Sequence, residues 1–181
     1  MYLDEFQNYL AKEKLLPNWE YTINIIPCGN SNNDVLERNI YVCPKERSHS
    51  RTEYFGLYSD KQVSHLFEII VCASVFISED QAEFDFKVNW KNTDKDNTEW
   101  RIEIRDMINT NLRLKKEILE ANNGRVQIFL LSKPIEINFR KDTKGGLQNK
   151  KYLTIDKTNI VNSFELMAGY LKNKSWDEVN N

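Results

Sequence analysis

Asp85-Phe86-Lys87 is the triplet in this chain that most directly suggests catalysis. With Glu68, Asp60 or Asp80 upstream it fits a D…(D/E)xK arrangement. Two carboxylates there would hold a divalent cation, and the lysine would stabilise an attacking or leaving oxygen. That chemistry is metal-dependent nucleic-acid cleavage. Yet Asp85 and Lys87 also form the wet side of an alternating stretch, which any charged strand produces. The other reactive types are sparse. His49 lies between Ser48 and Ser50, and His65 stands alone; no nucleophile elbow accompanies either. Cys28, Cys43, His49 and His65 lack the close spacing of a zinc site. No glycine-rich phosphate loop is present. The expectation is no bound metal, no cofactor and no catalysis, with Asp85, Lys87 and Glu68 as the residues of the nuclease alternative.

A second constellation suits binding. From Arg125 to Lys157 there are eight basic residues and three acidic ones, although the whole chain carries a net charge of −2. Arg140, Lys141, Lys144, Lys150 and Lys151 crowd one loop, and Gly145-Gly146 lets its backbone approach a ligand closely. Local lysine and arginine neutralise phosphates. Trp19, Tyr54, Phe55 and Tyr58 supply flat faces on which a base could stack. The competing reading is that rings at strand spacing are core and that a lysine-rich loop is only solvated.

These residues must be positioned by a mostly β chain. Glu53–Ile77 reads as a hairpin: an aromatic strand, a turn at Ser59-Asp60-Lys61-Gln62, and a long apolar strand. Val63, Leu66, Phe67, Ile70 and Val71 also match a helical face, but β-branched residues favour the strand. Phe84, Phe86, Val88 and Trp90 alternate with Glu83, Asp85, Lys87 and Asn89, and Trp100, Ile102 and Ile104 alternate with Arg101, Glu103 and Arg105, so both segments read as strands. Further strands are expected at 19–25, 39–43, 125–131, 134–139 and 152–155. The spacing predicts helices over 1–16, 111–121 and 159–172, the last capped by Asp156 or Thr158, with Asn122-Asn123-Gly124 stopping the middle one. The segment 28–33 reads as a loop, 34–38 as one helical turn, and the tail 176–181 as loose.

Runs of strands outnumber helices. The expected architecture is an α+β fold: a bent antiparallel or mixed β-sheet, or a small pseudo-barrel, with flanking N- and C-terminal helices. At 181 residues one domain is expected over 1–175, with its β-rich body at 19–155.

Within that body, Phe55-Gly56-Leu57-Tyr58 followed by Val63 and Leu66-Phe67-Glu68-Ile69 is similar to the central hairpin of PUA-like domains, most of all the EVE branch. Trp100–Ile104 and Val126–Leu131 with Lys133-Pro134-Ile135 follow in a similar order, so the resemblance spans roughly residues 40–155. Trp19 is the nearest counterpart of that family's N-terminal tryptophan, in a differently spaced strand. The resemblance implies recognition without catalysis: a grip on RNA, or on a modified, everted DNA base in an aromatic cleft. The favoured expectation is therefore a non-catalytic nucleic-acid recognition module whose partner is DNA or RNA. A protein-interaction module, with a protein partner or a second copy, is the third reading.

Three cysteines, Cys28, Cys43 and Cys72, argue against a disulfide framework. The N-terminus lacks the pattern of a signal peptide, and the longest apolar run, near Leu66–Ile77, contains Glu68. No membrane association and a cytoplasmic location are expected.

Overall fold

A computed structural model describes residues 18–78, 83–121, 125–156 and 163–180. The expected helix 1–16, Asp80, the stop at 122–124 and the segment 157–162 lie outside them. The described residues form an α+β fold around one bent, mixed, eight-stranded sheet that does not close.

Strand β1 (Thr22–Pro27) leads through a 3₁₀ turn to helix α1 (Asn32–Arg38), so 28–33 is not the plain loop its composition suggested. Asn39 ends α1 in the left-handed region, and β2 (Ile40–Pro44) follows. The hairpin forms as the residue types dictate, with β3 (Tyr54–Ser59) and β4 (Gln62–Ile77). Asp60 and Lys61 both have positive φ, the signature of a two-residue turn whose twist matches its strands. β5 (Phe84–Lys91) pairs back on β4.

Trp100–Ile104 is not a strand. It lies inside helix α2 (Asn97–Thr110), followed by α3 (Leu112–Glu120). Trp100 and Ile104 satisfy a period of two and a period of four equally well. Ile102 decides: a buried strand face would hide it, but it is 57% exposed, whereas Ile108 is buried. The Asp96 side chain caps the helix by accepting from Thr98 N at 2.7 Å.

The chain closes with β6 (Arg125–Leu131), β7 (Ile135–Arg140), β8 (Lys151–Thr154), α4 (Phe164–Leu171) and α5 (Trp176–Asn180). Ser163 caps the described part of the C-terminal helix, its side chain accepting from Leu166 N, while Thr158 lies outside the described residues. The supposed loose tail is helical over Trp176–Asn180, and Trp176 is 4% exposed, packed against Tyr58 and Phe139.

The sheet order is β2-β6-β4-β3-β1-β8, with β5 and β7 also on β4. β1 and β3 run parallel, and the other pairs are antiparallel. The first half of β4 pairs with β3 and β7, the second half with β6 and β5. Register shifts along all four contacts mark where the strand bends. The two half-sheets thus fold toward each other.

Alternation then sorts the side chains. Ile23, Ile25, Val63 and Phe139 face outward under α4 and α5. Val75, Ile77, Val126 and Ile128 face outward under α2 and α3. Phe55, Phe67, Phe129, Tyr41, Ile26 and Leu57 fill the space between the halves. Gly56 keeps its outer face bare, since a Cβ there would meet Val63 Cγ1 at 3.0 Å and Ile23 Cγ2 at 3.2 Å. Among the described residues no helix is long and apolar enough to cross a membrane.

Candidate functional site: a cavity at the open seam

Because the sheet does not close, a seam remains between edge strand β2 and the β1–β8 edge. A cavity of about 410 Å³ occupies it. Its walls are Ile26 and Pro27 at the end of β1, Tyr41 on β2, Glu46 to His49 on the β2–β3 loop, and Gln148 to Lys150 on the β7–β8 loop. That volume lies within the range of small-molecule sites.

Local structure fixes each wall. Tyr41 faces the inner core, where its ring meets Phe55 and Phe129. Its hydroxyl accepts from Arg47 Nη1 at 3.3 Å. Burial, above all, pushes the phenol above its ordinary range. His49 crosses the seam. Asn24 Nδ2 donates to its Nδ1 at 3.0 Å, which places the ring proton on Nε2, 3.6 Å from Cys43 Sγ. Protonating Nδ1 would set two N–H groups against each other. Burial, reinforced by Lys150 and Arg47, lowers His49 to about 4, so the ring is neutral at physiological pH. Cys28 and Cys43 behind it are pushed up to about 12, chiefly by burial, and are inert thiols.

The cationic loop reaches this cavity through Lys150, with Gln148 and Asn149 beside it. The remaining lysines serve elsewhere. Lys141 Nζ donates to the carbonyls of Thr143 and Gly145, at 3.1 and 2.9 Å, and so folds its own loop. Lys151 lies over the Trp176 ring at 4.8 Å. Arg140 and Lys144 are exposed.

The aromatic residues expected to line a cleft fare differently. Phe55 is fully buried between the half-sheets and presents no face to a ligand. Tyr58 is 5% exposed, and its hydroxyl accepts from Leu147 N at 3.2 Å, which ties down the basic loop. Trp19 belongs to a 3₁₀ turn, not a strand, and Arg51 covers its ring at 3.6 Å. Trp19 and Tyr54 line a different hollow of about 300 Å³, together with Glu20, Glu53 and Glu68. Burial and neighbouring carboxylates raise Glu53 and Glu68 above the usual range. A phosphate would be repelled there. The β1–β3 register sets the two hollows about 13 Å apart along the strand.

The nuclease residues are not brought together. Glu68 stands opposite Tyr54 and Asp85 opposite Phe76, eight residues or about 26 Å apart along β4. Asp85 turns back to accept from Phe86 N, and Lys87 is exposed. Among the described residues no cluster of three or more His, Cys, Asp or Glu side chains could hold a metal ion.

Tyr41, Arg47 and His49 were not singled out for binding from their spacing. They stand in one segment, but it meets the β7–β8 loop only through long-range pairing: β8 on β1, where Ile25 faces Lys151, and the Asn24–His49 bond across the seam. No family model, curated protein or solved structure matches this chain.

Proposed function

We propose that the seam cavity binds nucleic acid without cutting it. The observation that carries this reading is the meeting of Arg47 and Lys150 with the Tyr41–His49 wall on one hollow. Arg47 and Lys150 outnumber Glu46 on the lining and favour a phosphate. The half-buried ring of His49, the hydroxyl edge of Tyr41 and the amides of Gln148 and Asn149 suit a base turned out of its stack, whose polar edge needs partners. A neutral His49 adds ring surface without adding charge. The PUA-like resemblance implies the same kind of ligand, although Trp100–Ile104, one of the segments it rested on as a strand, is helical and the rings and lysines differ.

Fluorescence anisotropy with labelled single-stranded DNA and RNA, measured across a salt series, tests it. Arg47→Ala and Lys150→Ala should each weaken binding several-fold. Each should also reduce the slope of log K against log salt by about 0.7, one phosphate contact on a single strand. Unchanged affinity in both variants sinks the proposal. Magnesium-dependent cleavage abolished by Asp85→Asn would favour the nuclease reading instead.

A further inference from the structure

The loop that carries Arg47 and His49 has almost no backbone ladder of its own. β2 ends at Pro44, and a last bond to β6 runs from Lys45 N to Arg125 O at 3.4 Å. Beyond it a side chain takes over. Gln127 Nε2 donates to the carbonyls of both Lys45 and Arg47, at 3.1 and 3.0 Å. Gln127 is 8% exposed in a strand whose other buried residues are Val, Ile, Phe and Leu. It points to the inner face opposite Cys43. Burying a primary amide is costly unless it is bonded, so its bonds matter to the loop.

The opposite edge repeats the device. Asn24, fully buried on β1, reaches across the seam to His49. Two buried amides, on strands at opposite sides of the inner face, thus hold one loop. Neither is part of the cavity wall.

We infer that Gln127 and Asn24 are positioning residues for the seam cavity: they hold Arg47 and His49 where a ligand meets them. The inference rests on the nucleic-acid reading above. A loop released from these amides would populate several arrangements, and apparent affinity would fall by the fraction still competent. Charge would not change, so the number of phosphate contacts would stay the same.

The test uses Gln127→Met, which keeps the volume and removes the donor, and Asn24→Leu, which removes the other support. Amide hydrogen exchange follows the 45–49 loop, and anisotropy follows single-stranded DNA at several salt concentrations. Expected are faster exchange confined to the loop and about tenfold weaker binding, with an unchanged salt slope. Arg47→Ala, by contrast, flattens the slope. Wild-type affinity in Gln127→Met despite faster loop exchange overturns the positioning role alone, and so does a slope flattened as in Arg47→Ala. A wild-type protein that binds no oligonucleotide overturns the functional reading and this inference with it. If Gln127→Met fails to fold, the same comparison in Asn24→Leu decides.

Discussion

Asn24 and His49 join across the seam by a 3.0 Å hydrogen bond that sets the tautomer of an imidazole kept neutral chiefly by burial. The bond links a buried strand to the β2–β3 loop, which Ser50 N also ties to the Tyr152 hydroxyl at 2.9 Å. Its consequences are measurable in stability and in binding.

The first concerns pH. His49 titrates near 4 in the folded chain, against an ordinary value of 6.5. Its folded pKa is depressed, so between these values the unfolded state binds the proton that the native state refuses. Stability should therefore be unaffected above about pH 7 and should fall as pH drops from 6.5 toward 4. His65 is shifted in the same direction by burial and adds to the trend. Urea midpoints at pH 7 and pH 4.5 measure the loss, and His49→Gln should shrink it. An equal loss in that variant contradicts the assignment.

Thiol chemistry gives a second check. Cys28, Cys43 and Cys72 are all buried and each is pushed up to about 12, mainly by burial. A thiol reagent at pH 8 should label the native protein slowly and label all three after denaturation. Rapid native labelling at Cys43 would mean that the His49 wall opens.

Helix α2 offers a third. Ile104→Ala should cost about 2–5 kcal/mol, because Ile104 is fully buried under the second half-sheet. Ile102→Ala should change stability by less than about 0.5 kcal/mol, as an exposed helical position. A strand over 100–104 would make the two costs similar.

The fourth separates lysines that share one loop. Lys150→Ala should weaken oligonucleotide binding, since Lys150 lines the cavity. Lys141→Ala should leave the salt slope nearly unchanged and speed exchange over 142–146, because its ammonium is engaged by Thr143 and Gly145. Equal effects on the slope would show that the whole loop contacts phosphate.

The strands were legible wherever one face is wet. Phe84–Trp90 alternates cleanly, and the hairpin turn announces itself through Asp60-Lys61 between β-rich runs. Trp100–Ile104 misled because five residues satisfy two periods, and the deciding signals, the Asp96 cap and Ile108, lie outside that window. Tyr54–Tyr58 was read correctly as a strand. Its two faces, however, point to two interiors, one under helices and one between half-sheets, and local sequence carries no sign of that. The site was half visible. The basic loop stood out by composition, but which lysine meets the cavity depends on where β8 begins. The contribution of Tyr41, Arg47 and His49 depends on long-range pairing, β2 on β6 and β8 on β1, that no short motif encodes.

Gln62–Ile77 lends its backbone to both halves of the molecule, four neighbours in all. Neither half can peel away without stripping this shared spine of partners. Melting should then register as one cooperative event by every probe, and damage beneath α2 should be felt as far off as the grip of α5 on β7.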